Sequence, residues 1–85
     1  MQGDSSLNDT PRLVLYQRDD CPLCDQALAV LAAARAPAFD SVWIDGEDGL
    51  EARFGTRVPV LRDEDRGAEL SWPFDVEAVR RFIGT

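Results

Sequence analysis

The chain has 85 residues with 9 basic and 16 acidic side chains, so its formal net charge is −7, and it contains no histidine. This length fits a single domain, and the acidic balance argues against a nucleic-acid or anionic-membrane partner, because phosphate groups bind to basic surfaces. Since every basic residue is an arginine and histidine is missing, lysine Schiff-base chemistry, imidazole acid–base catalysis and histidine metal sites are all excluded.

The N-terminal segment predicts a flexible tail over residues 1–10, followed by one domain over residues 11–85. The tail is polar and has neither the basic stretch nor the apolar stretch of a signal peptide. The longest strongly apolar run, residues 27–34, is far shorter than the roughly 20 residues that a membrane span requires. We therefore expect a cytoplasmic protein without a membrane partner, in which a structural disulfide would be unusual.

The first half of the domain predicts a strand, a helix and a second strand. The continuous apolar run 12–17 predicts a central strand that is buried on both faces. Pro22 suits the first position of a helix that continues to Arg35, with apolar residues at helical spacing. Residues 39–45 alternate as in a strand, and the intervening helix is long enough to make the two strands parallel.

The second half predicts, in order, a short helix, two strands and a last helix: residues 46–54, 58–62, 68–71 and 76–83. Gly55 is expected to end the short helix as a left-handed cap, and residues 63–67 form a hairpin turn between the two strands. Asp75 caps the last helix and Gly84 ends it. The predicted order β-α-β-α-β-β-α describes an α/β fold with a mixed four-stranded sheet flanked by helices.

Cys21 and Cys24 lie at the predicted junction between the first strand and the first helix. Residues three apart share a helix face, so their sulfur atoms can come within disulfide distance in the first turn. The N-terminus of the helix presents free N–H groups and a partial positive charge, which favour the thiolate of Cys21. Cys21 would then attack a disulfide, and Cys24 would resolve the resulting mixed disulfide.

With its Cys21-Pro-Leu-Cys24 motif and the segment Thr56-Arg-Val-Pro-Val60, the chain resembles the glutaredoxins of the thioredoxin-fold superfamily, and it looks closest to small bacterial glutaredoxin-like proteins. The resemblance covers roughly residues 12–83. It implies a thioredoxin fold and thiol–disulfide oxidoreductase activity without a bound cofactor. It also implies a cis peptide bond before Pro59, with the backbone of Val58 offered to the substrate across from Cys21.

The segment before the last helix departs from the glutaredoxin pattern. Glutaredoxins carry a Gly-Gly pair and an Asp that grip glutathione, whereas residues 71–75 here read Ser-Trp-Pro-Phe-Asp. Asp75 stands near the position of the family's acid, but the bulky Trp72 and Phe74 would crowd a backbone that glutathione must approach closely. We therefore expect a protein disulfide as the preferred substrate and glutathione only as an alternative co-substrate, because glutathione is anionic and so is this protein.

Two further residues are candidates for substrate binding, each with a plainer interpretation beside it. Packing is the favoured role of both Trp43 and Trp72, and Trp72 is the better candidate for substrate binding because it falls near the expected groove. Arg57, next to the proline of the third strand, would either bind a substrate carboxylate or be solvated.

Charged residues around the motif are expected to set how strongly the Cys21 thiolate is stabilised. Arg18 favours the thiolate, whereas Asp19 and Asp20 oppose it, as does Asp25 just after Cys24. A carboxylate about 7 Å away opposes the thiolate by about 0.8 kcal/mol, which is comparable to the effect of the helix N-terminus. We therefore expect a weakly activated thiolate and a comparatively reducing disulfide.

Two other functions stay open at this point. One is a non-catalytic thioredoxin-fold module that docks a partner through a groove at residues 72–74. The other is a dimeric carrier of a metal or an iron–sulfur cluster through Cys21 and Cys24, because one chain has too few cysteines for a four-ligand site of its own. The oxidoreductase hypothesis itself requires no metal and predicts a monomer.

Overall fold

The computed structural model describes residues 12–84. Its elements are, in chain order, β1 (Leu13–Gln17), α1 (Pro22–Ala33), β2 (Phe39–Trp43), α2 (Asp48–Phe54), β3 (Val60–Asp63), β4 (Ala68–Ser71) and α3 (Val76–Ile83). The number and order of elements confirm the predicted α/β architecture. The predicted tail, residues 1–10, lies outside the described residues. Within residues 12–84, no helix has the length and apolar character needed to cross a membrane.

The four strands form one mixed sheet in the order β2-β1-β3-β4. β1 is parallel to β2, as predicted, and antiparallel to β3, which continues into the β3–β4 hairpin. Gln17 at the end of β1 pairs with Trp43 of β2, and Tyr16 pairs with Val60 of β3. The end of β1, the end of β2 and the start of β3 therefore meet at one end of the sheet, which is also where the chain turns into α1.

Alternate residues of β1 belong to two separate parts of the core. Leu13 and Leu15 pack with Ala27 and Leu31 of α1 on one face of the sheet. Tyr16 packs on the other face, where its ring stacks on Phe54 of α2 with the ring centroids 4.3 Å apart. The prediction of a central strand buried on both faces is confirmed, and side chains at odd-numbered positions of β1 lie beneath α1.

The left-handed cap predicted at Gly55 is wrong. Gly55 is right-handed, with φ −52° and ψ −37°. The backbone N–H groups of Arg57 and Val58 both donate to the carbonyl of Phe54, at 2.8 and 3.0 Å, and this continued turn requires a right-handed residue. Because the Val58 N–H is used in the turn and Pro59 has none, strand pairing begins at Val60, two residues later than predicted.

The ends of α3 agree with the prediction, whereas the C-terminal end of α1 does not. Asp75 caps α3 by accepting a hydrogen bond from the Ala78 N–H at 2.8 Å, and Gly84 ends the helix with a left-handed φ of 83°, both as predicted. α1 ends at Ala33, two residues before the predicted Arg35, because Arg35 itself is left-handed with φ 56°. The two caps of α3, one made by the Asp75 side chain and one by Gly84, are therefore predicted correctly.

Candidate redox site

The two cysteines lie at the N-terminus of α1 and form a disulfide. Cys21 is the N-cap residue and Cys24 lies in the first turn, with the two Cα atoms 5.2 Å apart. The backbone N–H of Cys24 donates a hydrogen bond to Sγ of Cys21 at 3.1 Å. Pro22 occupies the start of the helix, where its missing N–H leaves no helical bond unmade. The predicted meeting of the two sulfur atoms is confirmed.

The two cysteines differ sharply in exposure. Cys21 is partly exposed, whereas Cys24 is only 2% exposed beneath the first turn of the helix. An external sulfur atom can therefore approach Cys21 but not Cys24. Thiol–disulfide exchange needs access to the attacked sulfur, so any exchange with another molecule must begin at Cys21.

Cys21 opens into a surface depression of about 310 Å³, which we call the cysteine depression. It is lined by Gln17, Arg18, Asp19, Asp20, Cys21, Pro22, Cys24, Asp25, Leu28 and Trp43. It therefore brings the two cysteines together with Arg18, Asp19 and Asp20, the three residues predicted to influence the Cys21 thiolate. Asp20 has a left-handed backbone, with φ 55°, in the loop that carries the chain from β1 into α1.

Two exposed apolar residues of this depression are not among the predicted site residues. Trp43 is 51% exposed and Leu28 is 36% exposed. Both positions carried a signal: Leu28 lies four residues after Cys24 on the same helix face, and Trp43 ends the strand that runs parallel to β1. The glutaredoxin pattern points to Trp72 near the expected groove, whereas the register of the strands brings Trp43 to the cysteines.

Arg18 is held by acidic residues of other elements. Its guanidinium donates to both carboxylate oxygens of Glu51, at 2.7 and 3.0 Å, and to the backbone carbonyl of Gly55 at 3.1 Å. It also lies 3.4 Å from a carboxylate oxygen of Asp45. The hydrogen bond to Glu51 holds the pKa of the Arg18 guanidinium above its ordinary value. The positive charge nearest to Cys21 in sequence is thus already balanced.

The remaining charges of the cysteine depression are negative. Within residues 12–84, the carboxylates of Asp19, Asp20 and Asp25 take part in no ion pair. All three residues are exposed. A partner that enters the depression therefore meets uncompensated negative charge beside exposed apolar surface.

The predicted docking strand begins at the same end of the sheet as the cysteines. The peptide bond between Val58 and Pro59 is cis, and so is the bond between Trp72 and Pro73. Pro59 is fully buried, and its carbonyl accepts a hydrogen bond from the Trp72 N–H at 3.1 Å. Neither Val58 nor Pro59 lines the cysteine depression, but the pairing of Tyr16 with Val60 places them level with the end of β1.

The other three predicted binding residues have partners within the chain, and none of them lines the cysteine depression. Arg57 forms an ion pair with Glu69 of β4. Trp72 packs against the core and meets the ring of Phe74 edge-on, with centroids 5.0 Å apart, while Asp75 caps α3. Phe74 is buried, Trp72 is partly buried and Pro73 is exposed, and the docking of a partner through residues 72–74 stays a prediction.

Comparisons with known proteins agree with this geometry. A sequence model described as glutaredoxin-like domain (DUF836) matches residues 12–84. The chain belongs to this glutaredoxin-like family. The predicted resemblance is thereby confirmed. The comparison with curated proteins finds no match.

Solved structures of similar proteins share the fold. The crystal structure of protein XcR50 from X. campestris is 59% identical, covers 84% of this chain and 93% of its own, and superposes with a TM-score of 0.80. Its solution structure is 58% identical, with coverages of 85% and 91% and a TM-score of 0.78. Protein Ne2328 from Nitrosomonas europaea is 27% identical, with coverages of 86% and 91% and a TM-score of 0.74. The thioredoxin-like fold is thereby confirmed, and the cysteine pair supports a redox-type role for this glutaredoxin-like domain.

Proposed function

We propose that this glutaredoxin-like protein is a thiol–disulfide oxidoreductase in which Cys21 is the nucleophile and Cys24 is the resolving thiol. The observation that carries this proposal is the difference in exposure of the two sulfur atoms at the N-terminus of α1. A partly exposed cysteine accepts the substrate, and a buried neighbour only 5.2 Å away between Cα atoms completes the exchange. Because one chain supplies both thiols, we propose that the protein acts as a monomer without a bound cofactor.

The proposed reaction transfers two electrons from the dithiol to a substrate disulfide. The thiolate of Cys21 attacks one substrate sulfur, the substrate S–S bond breaks, and the second substrate sulfur leaves as a thiolate that takes a proton from water. The thiolate of Cys24 then attacks Sγ of Cys21, which closes the Cys21–Cys24 disulfide and releases the first substrate sulfur. A small thiol or dithiol of the reducing cytoplasm would return two electrons to the pair.

The stabilisation of the Cys21 thiolate would come from the helix end rather than from an arginine. The N–H of Cys24 already donates to Sγ of Cys21 in the disulfide, and the same donor would stabilise a negative charge on that sulfur. Arg18 is engaged by Glu51, while Asp19 and Asp20 place negative charge around the same depression. We therefore propose a weakly activated thiolate and a comparatively reducing disulfide.

A protein disulfide flanked by basic and apolar side chains is the substrate that this surface fits best. The carboxylates of Asp19, Asp20 and Asp25, which are unpaired among residues 12–84, attract cationic groups and repel the anionic glutathione. The exposed ring of Trp43 and the side chain of Leu28 offer apolar contact, and an indole face also binds cations. Glutathione would therefore react as a co-substrate more slowly than a basic protein disulfide.

We propose that the backbone of Val58, before cis-Pro59, holds the substrate chain opposite Cys21. Support comes from the register of the sheet, which brings the start of β3 to the cysteine end. Arg57, Trp72 and Asp75 stay predicted binding residues that only substrate kinetics will test.

The deciding experiment is the reduction of insulin disulfides by dithiothreitol in the presence of wild-type protein, Cys21→Ser and Cys24→Ser. We expect Cys21→Ser to lose at least about 100-fold in rate, because it removes the nucleophile. Cys24→Ser should instead accumulate a mixed disulfide with the substrate, which mass spectrometry of the quenched reaction detects.

The same variants are also assayed with a second substrate, a glutathione mixed disulfide. No acceleration of either reaction by the wild-type protein would reject the oxidoreductase proposal, and turnover of the glutathione substrate alone would reject the preference for proteins. A purified dimer that contains iron would favour the carrier hypothesis instead. Within residues 12–84, no three potential ligand side chains lie close enough together to hold a metal ion.

A further inference from the structure

Gln17, the last residue of β1, has a buried side chain with an unused hydrogen-bond donor. The residue is only 4% exposed, and among residues 12–84 its side-chain nitrogen Nε2 finds no hydrogen-bond partner. A buried amide N–H group without an acceptor destabilises the folded state, so buried polar groups in proteins are nearly always paired. The unused donor at Gln17 therefore requires an explanation.

The topology places this donor beneath the first turn of α1. Side chains alternate along β1, so Gln17 lies on the same face as Leu13 and Leu15, which α1 covers with Ala27. Cys24 precedes Ala27 by one helical turn, toward the end of the sheet at which Gln17 lies. Gln17 and Cys24 also line the same depression.

The redox state of Cys24 changes its value as a hydrogen-bond acceptor. A sulfur atom in a disulfide accepts hydrogen bonds weakly, whereas a thiolate is charged and accepts them strongly. When the disulfide is reduced, a Cys24 thiolate would lie in a site where only 2% of the residue is exposed to water. Such a thiolate needs a donor from the protein.

The charged groups around Cys24 do not meet this need. Those of the cysteine depression come from the loop before α1 and from α1 itself: Arg18, Asp19, Asp20 and Asp25. The guanidinium of Arg18 is bound by Glu51, and the three carboxylates oppose a further negative charge. β2 contributes Trp43, which does not titrate. An uncharged donor on β1 is therefore well suited to the role.

We propose that Nε2 of Gln17 donates a hydrogen bond to Sγ of Cys24 in the reduced protein and stabilises the Cys24 thiolate. The bond would assist Cys24 when it attacks Cys21 and when it leaves during reduction of the disulfide. The effect on turnover rests on the proposed oxidoreductase function. The effect on the equilibrium between dithiol and disulfide does not, since that equilibrium belongs to the cysteine pair itself.

The test is the equilibrium of the cysteine pair with dithiothreitol in Gln17→Met, which keeps the length of the side chain and removes the donor. We expect the equilibrium to shift about tenfold toward the protein disulfide at alkaline pH, where Cys24 is ionised. For a two-electron couple this corresponds to a reduction potential about 30 mV more negative. The shift should shrink at acidic pH, because a neutral thiol accepts the hydrogen bond weakly.

Two further variants separate this role from a structural one. Gln26→Met makes the same substitution at an exposed position of α1, two residues after Cys24, and should stay within about twofold of the wild type. Gln17→Glu replaces the donor by a group that is anionic at alkaline pH, so it should shift the equilibrium in the same direction as Gln17→Met and further. A Gln17→Met equilibrium equal to that of the wild type, or a shift of the same size at every pH, would overturn the proposal.

A measurement on the unaltered protein covers the case in which the Gln17 variants do not fold. The side-chain amide resonances of Gln17 should move on reduction of the disulfide, while those of the exposed Gln26 stay in place. Equal movement of the two amides would overturn the proposal. A Gln17-dependent equilibrium in a protein that reduces no insulin would instead reject only the oxidoreductase function.

Discussion

Two regions of this molecule carry the same kinds of residue, acidic side chains and a tryptophan, in opposite arrangements. In the cysteine depression, Asp19, Asp20 and Asp25 have no ion-pair partner among residues 12–84, and Trp43 is exposed. In the hairpin region, which consists of β3, β4, the turn between them and the Trp72 that follows, the acids are paired and the indole packs against the core. The hairpin region uses these residues for stability, and the depression leaves them available to a partner.

The pairing in the hairpin region is dense. Glu69 accepts hydrogen bonds from Arg57 and, at 2.7 Å, from Arg62, while Glu64 accepts from the Tyr16 hydroxyl at 2.7 Å and from Arg62 at 3.0 Å. The hydrogen bond from Arg57 holds the pKa of Glu69 below its ordinary value, and the bond from Tyr16 does the same for Glu64. The formal charge of −7 is therefore distributed unevenly over the surface, and part of its unbalanced share surrounds Cys21.

Removing each tryptophan in turn tests the difference between the two regions with the largest expected effect. Trp72→Ala should lower the free energy of unfolding by about 2 kcal/mol, because it deletes a ring that packs against the core. Trp43→Ala should change that free energy by less than about 0.5 kcal/mol, since half of its side chain already faces water. It should instead raise KM for a protein disulfide about fivefold through loss of aromatic contact.

Urea unfolding and steady-state insulin reduction measure the two effects on the same samples. If Trp72→Ala raised KM and left stability unchanged, the binding role predicted for Trp72 from the glutaredoxin pattern would be correct and the assignment to packing would fail. Equal effects of the two substitutions on KM would remove the distinction between the regions.

The difference between the two tryptophans also marks the limit of prediction from the sequence. Seven consecutive residues include both cysteines and the three charged residues beside them: Cys21, Cys24, Arg18, Asp19 and Asp20. They are close in space because they are close in sequence. The caps at the ends of the last helix obey rules that involve one or two residues, and they were predicted correctly. Sites and element ends of this local kind can be predicted without a structure.

Features that depend on the pairing of distant segments could not be predicted in this way. Trp43 reaches the cysteines only because β2 pairs in parallel register with β1, and Arg18 is balanced by Glu51 of a different helix. The right-handed turn at Gly55 also contacts a distant segment, because the Gly55 carbonyl accepts a hydrogen bond from Arg18 at 3.1 Å. The buried position of Gln17 likewise follows from the packing of α1 on the sheet.

The charge arrangement is tested by Asp19→Asn/Asp20→Asn, for which Asp40→Asn/Asp65→Asn is the matched control. The control removes the same charge from exposed residues near the opposite end of the sheet. In the test variant, Asn tolerates the left-handed backbone at residue 20. We expect the first variant to raise kcat/KM for a glutathione mixed disulfide about fivefold at low ionic strength. The gain should fade at high salt, and the control should show neither effect.

An unchanged rate with glutathione would show that the carboxylates do not select the substrate. A gain shared by the control would assign the effect to net charge rather than to the depression. Kinetics at two salt concentrations with both variants separates these outcomes.

Removing a paired acid of the hairpin region should change the stability of the fold rather than the choice of substrate. Glu69→Gln tests this expectation. Because its pKa in the folded protein lies below the ordinary 4.5, Glu69 contributes stability above pH 4.5 and loses that contribution as the pH falls through its lowered value. At neutral pH the substitution should reduce the free energy of unfolding by about 1 kcal/mol, since Glu69 is partly buried and pairs with more than one arginine.

The matched control is Glu77→Gln, which removes a carboxylate whose side chain is 82% exposed and which pairs with Arg81 at 3.5 Å across one helical turn. Its effect on unfolding should stay below about 0.5 kcal/mol at any pH, because exposed ion pairs contribute little. Urea unfolding at neutral pH and at a pH below the lowered pKa of Glu69 should show the Glu69 difference disappearing in acid, while insulin reduction at neutral pH stays unchanged in both variants. A loss of turnover in Glu69→Gln at unchanged stability would mean that the hairpin acids also serve the cysteine depression, because paired charges that only stabilise the sheet cannot change the reactivity of Cys21.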